Sequence, residues 1–344
     1  MLEMIDYIPQ GDGALIVRCF GSGPAVELPE RIGALAVTAL ADHCFAKEPS
    51  VRIDRSLVRR SVRRGGVFEE GGSPAGGEEI PAAAGATLRE IRLPSSLRAV
   101  GDYAFYGCSS LERILFPSGL VRLGGGAFVD CNHIAEVVFE DYDPGDGSGS
   151  SLLGVPPCLR EVLAEISNEV EAVLAGPDGS DVLRLVFPGY VEESTENTPA
   201  RIIEVRYLGT GYNYRQCFRG RMLDLQAYDD GKLFYLAGVN EFESTTVHLA
   251  MDRLMTPVML SLEAGQRYLD WMRAQPEAAA DYCLSRGDTG LLLLLKDRSF
   301  FTGEVTDVFL KKAREKGNAP AASFLMELGR GQAGAGSGRK YSFD

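Results

Sequence analysis

The sequence predicts an α+β chain: an N-terminal β-solenoid with a 23-residue period, then a β-hairpin, then a C-terminal α-helical hairpin domain. Three observations carry this reading. A segment repeats itself at a fixed offset between Leu88 and Val137, two alternating strands flank an Asp-Gly turn at Asp178, and apolar residues fall at helical spacing from Glu241 onward. At 344 residues the chain has room for about two domains. Their expected limits are 1–148 for the repeats, with a flexible insertion at 46–87, and 149–330 for the hairpin and helices. A disordered tail is expected over 331–344.

The repeat is read by laying Leu88-Arg89-Glu90-Ile91-Arg92-Leu93-Pro94 over Leu111-Glu112-Arg113-Ile114-Leu115-Phe116-Pro117. The same offset carries Leu97 onto Leu120, Val100 onto Leu123, Gly101 onto Gly124, Ala104 onto Ala127, Phe105 onto Phe128 and Cys108 onto Cys131. A third pass starts at Ile134 and Val137, and an earlier copy shows as Leu28-Pro29, Ile32 and Leu40-Ala41-Asp42-His43-Cys44-Phe45. Such a unit is one short strand and one turn per coil, and each coil buries its apolar residues only by stacking on its neighbours. Gly101-Asp102-Tyr103-Ala104-Phe105-Tyr106-Gly107-Cys108 resembles the BspA-type leucine-rich repeat, over about 25–46 and 88–140. The resemblance implies a leucine-rich-repeat fold. It also brings in the surface-adhesin role common among such proteins, a role that a chain without an export signal does not fit.

Alternation along each strand places Leu88, Ile91, Leu93, Leu111, Ile114, Phe116, Ile134, Val137 and Phe139 inward. The outward residues are Glu90, Arg113 and Glu136 in one column and Arg92, Leu115 and Val138 in the next. The first column alternates in sign, so its members are expected to pair across strands. This face reads either as a self-neutralising solvated surface or as a partner-binding sheet. Leu115 and Val138, taken as an exposed apolar pair, favour the second reading. Cys108 and Cys131, one coil apart, are expected as buried free thiols.

The insertion carries Arg52, Arg55, Arg59, Arg60, Arg63 and Arg64 among Ile53, Leu57, Val58 and Val62 at near-helical spacing. RNA or anionic lipid would suit such a cluster, but Glu69-Glu70 and Glu78-Glu79 follow closely, so a solvated mobile excursion is expected. Further on, Glu169–Leu174 and Asp181–Phe187 alternate around Gly176-Pro177-Asp178-Gly179-Ser180 and predict a hairpin. A short helix is expected before it, over 157–166. The segment Gly211-Tyr212-Asn213-Tyr214-Arg215 is a candidate ligand site, with Tyr212, Tyr214 and Arg215 able to stack a planar group or hold an anion. Its plainer reading is an aromatic structural turn. In the helical part, Cys283, Gly287, Asp288, Leu291, Leu294 and Leu295 align at an offset of 30 with Ala313, Gly317, Asn318, Ala321, Phe324 and Leu325. This resembles ankyrin-type helix pairs, without the T-P-L-H signature.

Composition narrows the function. A net charge of −13 argues against a nucleic-acid binder and against a basic membrane-surface protein. Neither partner class is expected. The first residues lack the basic and apolar regions of a secretory signal, and seven cysteines without a CxxC pair suit a reduced, cytoplasmic setting. Three histidines in no HxxxH, HExxH or GxSxG context predict no catalytic residue, no metal site and no cofactor. The sequence therefore predicts a non-catalytic protein-interaction or scaffold module that binds an unnamed protein through the repeat sheet or the helical domain. Its alternatives are the Gly211–Arg215 ligand or enzymatic site and the adhesin.

Overall fold

The computed structural model describes residues 1–49, 53–71, 80–144, 152–197, 202–287 and 289–335. The chain divides into two compact units, Met1–Tyr228 and Asp229–Asp344.

Five parallel rungs organise the first unit. Ala25–Glu27, Glu90–Arg92, Arg113–Pro117, Glu136–Glu140 and Val170–Ala175 lie side by side, and Asp181–Phe187 ends the sheet antiparallel. Register places Val26, Ile91, Ile114, Val137 and Ala172 in one row, and all five are buried. The nine residues expected to face inward are buried as well. Behind them Phe45, Phe105 and Phe128 stack coil on coil, with ring centroids 5.2 and 5.4 Å apart. The repeated glycine has a steric cause: a Cβ on Gly101 would lie 2.5 Å from the Asp42 nitrogen, and one on Gly124 would lie 2.3 Å from the Gly101 carbonyl carbon. Aspartates stitch the turns together, since Asp42 Oδ1 accepts from the Asp102 backbone N–H at 2.9 Å and Asp102 Oδ1 from that of Gly125 at 3.0 Å.

A second, eight-stranded sheet contains the short coil strands Arg122–Leu123, Ala99–Val100 and Leu35–Leu40. It continues through a hairpin of Leu2–Gln10 and Gly13–Gly21, which sequence reasoning did not anticipate, into Arg59–Arg64 and Val67–Glu70. The insertion is thus not a mobile loop throughout. Residues 59–70 form a hairpin whose first strand pairs with the N-terminal strand, Val62 opposite Met4 and Arg60 opposite Asp6. The near-helical spacing misleads here because Ser61 and Val62 are held by pairing across the sheet, and both are buried. Arg52 and residues 72–79 lie outside the described residues.

The hairpin at Val170–Phe187 forms around its Asp-Gly turn: Asp178 Oδ1 accepts from the Ser180 N–H at 3.0 Å, and Gly179 takes φ +77°. Its first strand is the fifth rung of the parallel sheet, so the expected boundary at 148/149 would cut the sheet, and the division falls at 228/229 instead. A short helix, α1 (Leu159–Glu165), precedes it. Two further strands, Val191–Asn197 and Ile202–Leu208, form a separate two-stranded arm, followed by the single turns α2 (Gly211–Tyr214) and α3 (Leu225–Tyr228).

The second unit is helical: α4 (Gly231–Asn240), α5 (Glu243–Met255), α6 (Leu262–Ala274), α7 (Pro276–Ser285), α8 (Gly290–Asp297), α9 (Gly303–Glu315) and α10 (Ala319–Ala335). Helix α5 packs on α7, α7 on α9 and α9 on α10. Cys283, Leu291 and Leu295 are buried, as are Ala313, Ala321 and Leu325 thirty residues later. Gly287 and Gly317 end their helices at φ +68° and +66°, and Asn318 Oδ1 accepts from the Ala321 N–H at 3.1 Å. Asp288, the expected cap of the other copy, lies outside the described residues. Helix α10 carries the backbone to Ala335, past the expected start of the disordered tail at 331, and residues 336–344 lie outside the described residues. Among the described residues, no helix is long and apolar enough to cross a membrane.

Candidate functional site

The outward face of the rung sheet collects six of the candidate residues, because the parallel register stacks equivalent positions of successive rungs in columns. Glu90, Arg113 and Glu136 stand opposite one another, as do Arg92, Leu115 and Val138. Arg113 lies 3.8 Å from Glu90 and also pairs with Glu136, whose other oxygen is 3.7 Å from Arg184 on the last strand. Arg184 donates in turn to Glu171 at 2.6 Å and Asp181 at 2.6 Å. The expected ladder of alternating charge therefore forms and extends through two acids and one arginine beyond the repeat. Arg92 reaches diagonally across the third rung to Glu140 with a two-toothed fork of 2.9 and 2.7 Å. That fork holds the Arg92 guanidinium above its ordinary pKa.

Leu115 and Val138 are not an exposed pair. They retain 8% and 5% exposure and form one buried cluster with Val173 and Ala175. The physical reason is register: Arg92 stands directly beside Leu115 and Arg184 directly beside Val173, so long charged side chains border the apolar strip. The strip is part of the packed molecule, and neither residue is a free docking contact.

Beside this face lies a cleft of about 950 Å³, lined by Glu27, Glu90, Arg92, Arg113 and Glu140 of the rungs and by Arg63 of the basic hairpin. Apolar residues, Val26, Leu93 and Leu115 among them, line it between these charges. Phe68 of the same hairpin also contributes to the wall, so the inserted strands turn a flat sheet face into a groove. Sequence reasoning missed this second wall, because the hairpin's placement depends on pairing with the N-terminal strand. Arg60 there holds Asp6 at 2.7 and 2.9 Å, and Arg59 holds Glu70 at 2.8 Å, so two arginines of the cluster act as structural ties.

The segment at Gly211–Arg215 does not form a ligand platform. Arg215 is buried, and its guanidinium donates to the carbonyls of Leu163, Ile166, Asn168, Pro188 and Gly211 at 2.6–3.0 Å. Burial lowers its pKa to about 10, and the carbonyl oxygens around it offset the lost water. Tyr214 is fully buried. Tyr212 stacks on Tyr207 at 3.7 Å with near-parallel rings, and Tyr190 meets both edge-on at 6.0 Å. These rings stack on one another, leaving the segment an aromatic brace.

Residues 82–143 match the BspA type leucine rich repeat region (6 copies). The leucine-rich-repeat match ends before the fifth rung and does not reach the helical unit. No curated protein matches the chain. Among solved structures, a leucine rich cell surface protein from Faecalibacterium prausnitzii A2-165 is 15% identical, over 40% of this chain and 37% of that one, with a TM-score of 0.23. A leucine rich repeat protein of T. pallidum is 22% identical, over 50% of this chain and 78% of that one, with a TM-score of 0.18.

Proposed function

We propose that this chain is a non-catalytic protein-interaction module whose binding surface is the charged groove of the leucine-rich-repeat sheet. The observation that carries the reading is the groove itself: about 950 Å³ of open space against a face of ordered, alternating charge. An extended protein segment of mixed charge fits it, since each carboxylate and guanidinium along the floor is already spaced by the rung register. Arg92 and Arg113 are the anchors, with side chains 53% and 42% exposed, and Glu90 and Glu136 flank them. The proposal includes a cytoplasmic location, which the seven free, buried thiols support. It also takes the C-terminal helices as ankyrin-like pairs, on the strength of the repeated buried positions in α7–α10.

The test begins with a protein retained by the wild-type chain from its host extract, then measured against Arg92→Glu and Arg113→Glu. Each variant sets a carboxylate against acids that are only a quarter exposed, Glu140 for Arg92 and Glu136 for Arg113, so an unchanged melting temperature is the check that the fold is retained. Binding is expected to fall at least about tenfold in each, with a slower association rate at low salt. Unchanged affinity in both variants, with loss on substituting exposed Tyr235 of α4, would move the interaction to the helical unit.

A further inference from the structure

We propose that the strand Ile202–Leu208 is a self-recognition edge, through which two copies of this chain pair antiparallel into a four-stranded sheet. Among the described residues, this strand pairs with Val191–Asn197 alone, so its other edge is open. Ile203, Val205, Tyr207 and Leu208 are 67%, 45%, 39% and 49% exposed. Such an edge is normally blunted by a bulge, a proline or inward charge. Here the register with its neighbour runs unbroken from Val191–Leu208 to Asn197–Ile202. A two-stranded ribbon is marginal in water on its own, and further strands stabilise it.

The occupant follows from the sequence of the strand, which is its own complement when reversed. With Val205 on the two-fold axis, Glu204 faces Arg206 of the second copy, and Arg206 faces its Glu204. Ile203 faces Tyr207, Ile202 faces Leu208, and Val205 faces itself. Opposed residues share a face in an antiparallel pair, so both charge pairs fall on one side and the apolar row Ile203, Val205 and Tyr207 on the other. No neighbouring register does this. Centring on Glu204 or on Arg206 sets like charges against each other, and a half-step slip sets a charge against Val205. A parallel pair in register again opposes like charges. The other edge of the arm is unsuited, because centring on Ser194 brings Glu192 against Glu196. Within one chain, Glu204 and Arg206 approach only to 3.8 Å, with side chains 57% and 75% exposed, so both are available to a second copy. Tyr207 is fixed by its stack on Tyr212, which holds the base of the arm in place. The interface is isologous, so it closes at two copies.

Sedimentation of the full chain across a concentration series tests this. The wild type is expected to show a monomer–dimer equilibrium. Glu204→Arg alone and Arg206→Glu alone each turn two attractive pairs into two repulsive ones, and should raise the dimer dissociation constant at least about tenfold. An equimolar mixture of the two single variants restores opposite charge at every position, so it should give a heterodimer. The double variant Glu204→Arg/Arg206→Glu restores the homodimer. All of these changes are at exposed side chains, and an unchanged melting temperature confirms that the fold is intact. A wild type that stays monomeric at its highest soluble concentration overturns the proposal, and so does a dimer that both single variants leave unaltered. The groove variants Arg92→Glu and Arg113→Glu are expected to dimerise normally, which separates this test from that of the binding groove.

Discussion

Two buried arginines seal opposite ends of the repeat stack, and neither was legible in the sequence as a structural group. Arg18 donates to the carbonyls of His43, Cys44, Ala46 and Lys47 at the first coil, and Arg215 to five carbonyls on the segments that lead into and out of the Val170–Phe187 hairpin. A stack of coils leaves backbone carbonyls without a neighbouring coil at its ends, and the planar guanidinium is the side chain with enough donors to satisfy several at once. Sequence alone leaves Arg215 open as a ligand group or as part of a structural turn, because a cation among tyrosines and glycines looks the same whether its acceptors are a substrate or the backbone. Only the fold brings Leu163, Asn168 and Pro188 to it. Arg215→Lys keeps the charge but cannot span the five carbonyls, so unfolding free energy should fall by about 3 kcal/mol in denaturant titrations. A loss below 1 kcal/mol, with a ligand bound only by the wild type, would instead return the segment to the list of binding sites.

Elements were legible where the chemistry is local and repeated. The leucine, phenylalanine and glycine of each coil recur at fixed spacing because each meets its own equivalent one coil away, as Phe105 meets Phe45 and Phe128. The basic hairpin and the N-terminal hairpin were illegible for the converse reason: Arg60 and Asp6, which hold them together, are 54 residues apart, and no short-range pattern records the pairing. Leu115 and Val138 belong between these cases. Alternation assigned them the correct face, but whether that face is wet depends on bordering side chains such as Arg184, which lies outside the repeat. Phe105→Ala should cost about 3–5 kcal/mol, since it opens a cavity in a stacked layer. Val138→Asp should be similarly costly, because the carboxylate would replace a methyl pair in the strip of Leu115, Val173 and Ala175. Thermal melts of the two variants side by side decide this: a Val138→Asp protein that melts with the wild type would show that the strip is open to water.

At the scale of the whole chain, the sequence carried the order of its parts, repeats before helices, but misplaced the line between them. Composition changes near 148, whereas hydrogen bonding does not: the fifth rung lies beyond that point and pairs back onto the fourth. The division at 228/229 falls one residue before an ion pair that organises the second unit. Asp229 receives the Arg253 guanidinium at 2.8 and 2.7 Å and the Tyr268 hydroxyl at 2.7 Å, tying the start of the helical unit to α5 and α6. Arg253 is fully buried, and it also donates to the carbonyls of Thr256 and Val258 at 3.0 Å. Removing one partner of such a pair leaves a charge in the core, at a cost of about 3–5 kcal/mol, far more than the pair contributes relative to a well-packed apolar substitute. Asp229→Ala should therefore loosen the helical unit selectively. Amide hydrogen exchange should accelerate in α4–α9 by orders of magnitude, while Ile114 and Val137 on the rungs keep their wild-type protection. Equal loss of protection on the rungs would mean that the chain unfolds as one cooperative body and that the boundary at Asp229 separates nothing energetically. Protection lost only on the rungs would mean that Asp229 serves the repeat unit instead.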